Sequence, residues 1–191
     1  MWADDAAVEQ FRSWGVTDSK KLSDGRARDL ARQIIGSEIP HAIVAIGPEK
    51  YNELHTKMRN LNRLLAWGHA RAIENVLEKA EAPLAVADQF GDESLIKNAL
   101  MKRGQAIELF QMHRGESDPA VAAASILARA EFLRRLAALG EKIGVALPKG
   151  AGPPVDKAGV QVLRRGGMAL LKTVAKCHFK NTQKVERLMT A

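Results

Sequence analysis

Apolar residues recur at helical spacing along much of the chain, which is the pattern of helices with one buried face. One such stripe predicts a first helix over residues 1–15, and Ser23 or Asp24 is the expected N-cap of a second helix near residues 24–36. The same spacing predicts further helices at residues 60–80, 92–102 and 118–139, and one or two more after residue 154.

Three short apolar runs bounded by turn residues predict strands, at residues 41–46, 84–87 and 106–111. The run over residues 83–88 is interpreted as a buried strand that ends on an acid, Asp88. Because strands and helices alternate along the chain, the pattern indicates an α/β domain.

A loop rich in Gly and Pro, over residues 147–154, interrupts the alternation of elements. We expect an α/β domain over residues 1–146, and a basic helical C-terminal extension of the same domain over residues 147–191. With 191 residues, of which 46% are hydrophobic, the chain is long enough to bury a substantial core.

The charges of the chain favour a polyanionic partner. The 29 Lys and Arg residues exceed the 22 Asp and Glu residues, which gives a formal charge of +7, and the basic residues crowd toward the C-terminal half. Such a half is typical of a nucleic-acid-binding surface. A solvated basic face explains the charge count equally well, so both interpretations stay open.

Cysteine content and hydropathy mainly exclude classes of protein. Cys177 is the single cysteine, so neither a disulfide framework nor a cysteine zinc site is expected. No apolar run reaches the roughly 18 residues of a membrane span. The first residues also lack the pattern of a secretory signal. We therefore expect a cytoplasmic protein without a membrane partner.

Two carboxylates stand at the ends of regular elements. Asp88 ends the second predicted strand, and Asp118 precedes Pro119, which suits the first turn of a helix. The small residues that follow, from Ala120 to Ser125, let a backbone or a nucleic-acid strand approach closely. Carboxylates are ligands for hard cations, which makes this pair a candidate metal site. A strand-end acid and a plain N-cap are the structural alternatives.

Six segments resemble, in the same order, the motifs of type 2 ribonucleases H. They are GVTDSKKLSD (15–24), NLNRLLAWGH (60–69), DQF (88–90), DPAVAAASILAR (118–129), LPKGAG (147–152) and AKCHFKNT (175–182). The DQF and LPKGAG segments are most similar to ribonuclease HIII. Short patterns recur by chance, but six collinear ones over nearly the whole chain make the resemblance specific.

The resemblance implies a hydrolase, an endonuclease that cleaves the RNA strand of an RNA–DNA hybrid. It also implies Mg²⁺ or Mn²⁺ as cofactor, because in the family four carboxylates hold divalent metal ions. Asp88 matches the third of these acids and Asp118 the fourth. Both are therefore predicted to be catalytic, metal-binding residues, with their carboxylates about 4 to 6 Å apart.

The chain departs from the family pattern in one respect. The first two acids of the family come from an Asp-Glu pair on a first strand, followed by a glycine turn and a second strand, and no segment here matches them. The resemblance therefore predicts an incomplete ribonuclease H-like fold that lacks the first two strands of the mixed sheet, with a helical C-terminal extension. In the family order 3-2-1-4-5, residues 41–46, 84–87 and 106–111 correspond to strands 3, 4 and 5, which leaves strand 3 without a neighbour.

Four residues match family positions that suit nucleic-acid binding. Lys20 and Lys21 lie in a turn near the rim of the family's active site, Lys149 lies in a glycine loop that a phosphate can approach, and His178 could stack on a sugar or base. Solvated lysines and a core aromatic are the alternatives. His69 is a further candidate, although a hydrogen bond to a backbone carbonyl explains it as well.

Two functions remain open at this point. The first is a ribonuclease HIII-like endonuclease, and the second is a catalytically inactive, truncated family member that only binds nucleic acid. The absence of a match to two of the four acids leaves open whether this chain is an enzyme. Nothing in the sequence indicates a protein partner.

Overall fold

The computed structural model describes residues 1–190, and the side chains up to residue 189. The described elements are, in chain order, α1 (Asp5–Ser13), α2 (Asp24–Gly36), α3 (Pro48–Met58), α4 (Leu61–Leu77), β1 (Leu84–Asp88), α5 (Ser94–Ala99), β2 (Glu108–Met112), α6 (Pro119–Ile143), α7 (Pro153–Val174) and α8 (Lys180–Thr190). Short 3₁₀ turns lie at Ser19–Lys21, Gly104–Ala106 and Gly115–Ser117.

The chain packs into two compact units. The first unit contains Met1–Val44 and Asn60–Glu131, and the second contains Ala45–Arg59 and the chain from Phe132 onward. The division into residues 1–146 and 147–191 that the sequence suggests stays a prediction.

The sheet of the described chain consists of β1 and β2, which pair in parallel with Asp88 opposite Met112. Parallel strands need a crossover, and α5 lies in the connection between them. The predicted strands at 84–87 and 106–111 are thus confirmed with small shifts. The prediction of a buried strand is wrong for most of β1, since Leu84 is 43% exposed and only Ala87 is buried.

The predicted strand at residues 41–46 is wrong, because this segment has no regular secondary structure. A strand forms only where a neighbouring strand completes its hydrogen-bond ladder, and apolar alternation does not supply that neighbour. The carbonyl of His41 is instead bonded by the ammonium of Lys79 at 2.7 Å.

Helix α3 has no counterpart in the sequence-based interpretation, which treats Gly47-Pro48 as the end of a strand. The structure uses the same dipeptide as a helix start, with Gly47 as N-cap and Pro48 in the first turn. Proline is favoured there because its fixed φ is already helical and its missing N–H costs no hydrogen bond.

Sequence-encoded caps set the first helices of the first unit. The carboxylate of Asp4 accepts the Ala7 N–H at 2.8 Å, and the hydroxyl of Ser23 accepts the Arg26 N–H at 3.1 Å, as predicted for α2. The apolar faces of α1 and α2 meet residues 123–127 of α6 in one core. Its largest fully buried side chains are those of Phe11, Leu30, Ile34 and Ile126.

A buried carboxylate organises the approach to β2. Glu74 on α4 is 6% exposed, and its oxygens accept the backbone N–H groups of Arg103 and Gly104, both at 3.0 Å. Burial alone would raise the pKa of Glu74, but these amides and the Arg103 side chain favour the charged form, and the pKa lies below its ordinary value. The 3₁₀ turn before β2 therefore depends on an ionised Glu74.

The second unit has a helical core of its own, formed mainly by α7 and α8. It includes Val162, Leu171, Val174 and Val185. Helix α7 is broken at Gly166 and Gly167, and Gly167 has a φ of 64°, a conformation that glycine adopts without strain. Among the described residues, no helix is both long and apolar enough to cross a lipid bilayer.

Candidate functional site

Asp88 is the last residue of β1, and its exposed side chain lies at the carboxyl end of the parallel pair. Its Oδ1 accepts the backbone N–H of Gly115 at 2.9 Å. The N–H of the next residue, Gln89, donates to the Met112 carbonyl at 3.0 Å, which extends the ladder past the carboxylate. The strand end and one amide thus fix the position of Asp88.

Gly115 approaches Asp88 more closely than any other residue type could. A Cβ atom at position 115 would lie 2.9 Å from the Asp88 Cα and 3.0 Å from its backbone nitrogen. Contacts of that length with backbone atoms cannot be relieved by a side-chain rotation. The glycine is therefore a requirement of the 2.9 Å hydrogen bond to the carboxylate.

Asp118 ends the turn that Gly115 begins and stands immediately before α6. Its Oδ1 accepts the N–H groups of Ala120 at 2.8 Å and Val121 at 3.0 Å, which is the geometry of an N-cap. Its own N–H donates to the Gly115 carbonyl at 2.9 Å. Gly115 thus connects both predicted acids, because its N–H donates to the Asp88 carboxylate and its carbonyl accepts the backbone N–H of Asp118.

The donor set of this pair fits a hard cation in part. In each carboxylate Oδ1 is held by backbone amides, and among the described residues no hydrogen bond engages Oδ2 of Asp88 or of Asp118. Oxygen donors of this kind suit Mg²⁺ and Mn²⁺. The described chain contains no group of three or more His, Cys, Asp and Glu side chains that could hold a metal ion. The two carboxylates therefore leave two oxygens outside the described hydrogen bonds, fewer than the number of ligands that Mg²⁺ or Mn²⁺ takes.

His69, on α4, lies near this acid pair. Its ring contacts Phe90, with the ring centroids 5.1 Å apart. Burial lowers the pKa of His69, while the negative charge of Asp88 acts in the opposite direction. At neutral pH the imidazole of His69 is therefore uncharged.

The turn that carries Lys20 and Lys21 is fastened to α6 within the first unit. The hydroxyls of Ser19 and Ser125 are 2.7 Å apart, and the Arg129 guanidinium donates to the Ser19 carbonyl. Both lysine side chains are exposed. The small residues of α6 thus have a structural use that the sequence alone did not reveal, since Ser125 anchors the lysine turn.

The other two predicted substrate-binding residues lie in the second unit. Lys149 is exposed in the loop between α6 and α7, next to Gly150 with a φ of 85°. His178 is exposed just before α8. The structure therefore links the Asp88 carboxylate to the backbone of Asp118 through Gly115 in the first unit, and it assigns Lys149 and His178 to a different unit from Lys20 and Lys21.

His178 belongs to a cluster of rings, named here the ring cluster: Tyr51 and His55 on α3, with His178 and Phe179 before α8. The imidazoles of His55 and His178 stack with centroids 4.0 Å apart, and His178 contacts Phe179 at 3.9 Å. Tyr51 lies 5.5 Å from His178. Sequence analysis missed this cluster, because its two halves lie more than 120 residues apart along the chain.

Three comparisons connect this chain to known proteins. Residues 2–182 match a family model described as Ribonuclease HII. A ribonuclease HIII of Protochlamydia amoebophila (strain UWE25) is 45% identical over 171 residues, which cover 90% of this chain and 56% of that protein. A ribonuclease HIII of Chlamydia pneumoniae is 44% identical and covers 89% of this chain and 57% of its own length.

Among solved structures, a crystal structure of Bst-RNase HIII in complex with Mn²⁺ superposes with a TM-score of 0.89 at 28% identity. The alignment covers 98% of this chain and 62% of that one. The predicted ribonuclease H-like α/β fold is thereby confirmed. The chain spans 56% to 62% of the length of these three relatives.

Proposed function

Because the chain belongs to the ribonuclease HII family, we propose that it acts as an endonuclease on the RNA strand of RNA–DNA hybrids. Its relatives are named ribonuclease HIII, and their identity extends over about nine-tenths of this chain. We further propose that it acts on nucleic acid in the cytoplasm.

The connection of Asp88 and Asp118 through Gly115 is the observation that carries this proposal. The Asp88 carboxylate and the backbone N–H of Asp118 both bind Gly115, and each of the two carboxylates keeps one oxygen outside the hydrogen bonds described. A purely structural strand end and a purely structural N-cap would not need this shared turn. We therefore assign to both residues the roles of metal ligand and catalytic carboxylate.

Mg²⁺ or Mn²⁺ is the proposed cofactor, and when bound it would relieve negative charge at the scissile phosphate and lower the pKa of an attacking water. Asp88 and Asp118 would hold it through their Oδ2 atoms. The role of the protein is to keep these oxygens in place, which the backbone amides of Gly115, Ala120 and Val121 do.

Lys20, Lys21, Lys149 and His178 are the proposed contacts to the substrate. The anchored turn supports this for the first two, since a fixed backbone leaves only the side chain to be ordered when the lysine binds a phosphate. Lys149 has a glycine neighbour that leaves room for a backbone phosphate, and His178 presents an exposed ring. These contacts position the hybrid and carry no base information.

Cleavage of a labelled RNA–DNA hybrid tests the proposal. The 191-residue chain should cleave feebly with Mg²⁺ or Mn²⁺, because it supplies two of the four implied carboxylates. A fusion that adds a strand with an Asp-Glu pair and its glycine turn should cleave robustly. Asp88→Asn should abolish cleavage in the active form.

Two outcomes would contradict parts of this proposal. Robust cleavage by the unextended chain that Asp88→Asn abolishes would show that two carboxylates suffice. Hybrid binding without cleavage by either protein would favour the alternative of a family member that only binds nucleic acid.

A further inference from the structure

The ring cluster forms a continuous aromatic surface in the second unit. Ring contacts run from Tyr51 through His55 and His178 to Phe179, with neighbouring centroids between 3.9 and 6.1 Å apart; the first two rings and the two imidazoles are stacked, and the His178–Phe179 pair is tilted by 39°. The buried end is Tyr51, which is 4% exposed, and the open end is Phe179, which is 45% exposed. An open ring backed by further rings is a surface on which another planar group can stack.

A cation stands beside these rings. The ammonium of Lys176 lies 4.5 Å from the centroid of the Tyr51 ring, a cation–π contact that restrains its position. Burial lowers the pKa of Lys176, and it also lowers the pKa of His178, where the proximity of His55 and Lys176 acts in the same direction. The imidazole of His178 is therefore neutral at neutral pH, which leaves a flat, uncharged ring next to a fixed positive charge.

The segment that carries the open rings is held in place before any ligand arrives. The side-chain amide of Asn52 donates to the carbonyls of Lys172 and Ala175, and its Oδ1 accepts the Cys177 N–H, all at 2.9 Å. A pre-formed surface loses little entropy on binding, which raises affinity.

One polar group of the cluster is unsatisfied. The hydroxyl of Tyr51 has no hydrogen-bond partner among the described residues. Buried polar groups are normally paired, so the orphaned hydroxyl at the buried end of the cluster leaves one polar partner unaccounted for.

We propose that the ring cluster and Lys176 form a binding platform for an unpaired nucleotide, in which a base stacks on Phe179 and His178 and Lys176 contacts the adjoining phosphate. Rings combined with a cation suit a nucleic-acid strand, whose bases have flat faces and whose backbone is anionic. The second unit carries 15 Lys and Arg against 5 Asp and Glu, which favours such a strand over an apolar or basic protein segment. The inference rests on the proposed function only in taking nucleic acid as the ligand.

Photo-crosslinking tests the platform directly. Single-stranded oligonucleotides with one 5-iodouracil, as DNA and as RNA, are irradiated with the chain in EDTA, and the attached residue is identified by mass spectrometry. Attachment at His178 or Phe179 is expected for at least one of the two strands. Attachment only elsewhere in the chain, or none, would overturn the proposal.

Binding measurements with matched variants supply the energetic test. Affinity for the same oligonucleotides, from fluorescence anisotropy in EDTA, should fall about tenfold in Phe179→Ala and be retained in Phe179→Tyr, which keeps the ring. Phe132→Ala is the control, because Phe132 is 50% exposed in the same unit and outside the cluster. Equal losses in the Phe179→Ala and Phe132→Ala variants, with unchanged circular dichroism, would overturn the proposal.

These tests can distinguish a failure of the platform inference from a failure of the proposed nuclease function. A platform that binds oligonucleotides in EDTA while no form of the protein cleaves hybrids would leave the inference standing and the nuclease proposal contradicted. Cleavage of hybrids together with unchanged oligonucleotide affinity in Phe179→Ala would contradict the platform inference and leave the nuclease proposal standing.

Discussion

The two compact units differ sharply in charge. The first unit carries 14 Lys and Arg against 17 Asp and Glu, a formal charge of −3, whereas the second carries 15 against 5, a formal charge of +10. The first unit also contains the parallel strand pair and both predicted acids, and the second contains the ring cluster. The net charge of +7 for the whole chain conceals this division.

The division indicates that two binding tasks lie in separate regions of the molecule. An acidic unit attracts a divalent cation, and a basic unit attracts a polyanion over a longer range. Substitutions of the two acids in the first unit should then change chemistry, and substitutions of basic residues in the second should change nucleic-acid affinity.

The largest expected effect is that of Asp88→Asn on hybrid cleavage, measured in whichever protein is active, the 191-residue chain or its fusion to an Asp-Glu strand. The amide keeps the shape of the side chain but loses the charge that holds a cation, so kcat should fall at least about 100-fold, beyond the loss of an outer-shell contact. The salt dependence of hybrid binding in EDTA should stay unchanged. Glu108→Gln, an exposed acid at the start of β2, is the control and should retain activity.

Glu74→Gln tests whether the first unit depends on a buried negative charge. The change weakens the bonds to the Arg103 and Gly104 amides, and the free energy of unfolding should fall by about 2 kcal/mol at neutral pH. Because folding lowers the pKa of Glu74, its contribution is present above roughly pH 4.3, the ordinary value, and is lost as the pH falls through the lowered pKa. Chemical denaturation at several pH values should show this acid-dependent loss in the wild type and less of it in the variant. Equal acid dependence in both proteins would contradict the assignment.

Gly115→Ala tests the connection between the two acids. A Cβ would lie 2.9 Å from the Asp88 Cα, so the turn must shift, at a cost of about 1 to 3 kcal/mol. Thermal unfolding should show a lower Tm, and added Mn²⁺ should no longer raise it. In the control Gly68→Ala the new Cβ meets nothing within 4 Å, and the Tm should stay the same or rise.

The smallest effect is expected for Lys149→Ala in the second unit. Loss of one phosphate contact should weaken hybrid binding a few-fold and reduce the salt slope by about 0.9, without changing sequence preference. Lys50→Ala is the control in the same unit, since Lys50 is paired with Glu53 at 2.8 Å. A steeper salt slope in the variant, or equal changes in both, would contradict the polyanion interpretation.

Elements with local signals could be predicted from the sequence. Ser23 marks the start of α2, and the apolar stripe of α4 fixes the helix within a few residues. The segment at 41–46 could not, because a strand depends on a partner elsewhere in the chain. Helix α3 was missed although Pro48 is a start signal, since the same dipeptide also ends strands.

The candidate site, like the fold, could be predicted from the sequence only in part. Asp88 and Asp118 stand out at element ends, and the family resemblance assigns their roles, which stay predictions. Their link through Gly115 could not be read from the sequence, because the need for glycine arises from a close approach between β1 and a turn 27 residues later. In the ring cluster, the family resemblance pointed to His178, but its contacts with Tyr51 and His55 gave no local signal.

The three hydrogen bonds of Asn52 also bear on the order of folding during synthesis. Their partners lie 120 to 125 positions later along the chain, the last being Cys177. At about 5 to 20 residues per second, the 118 residues from position 60 to position 177 take roughly 6 to 24 seconds to translate. During that interval all of the first unit, which ends at Glu131, has been made, while residues 45–59 still lack their packing partners. On a translating ribosome the acidic unit can therefore complete its core first, whereas the 11 residues of α3, too few for a stable isolated helix, gain their packing partner only when α7 has been made.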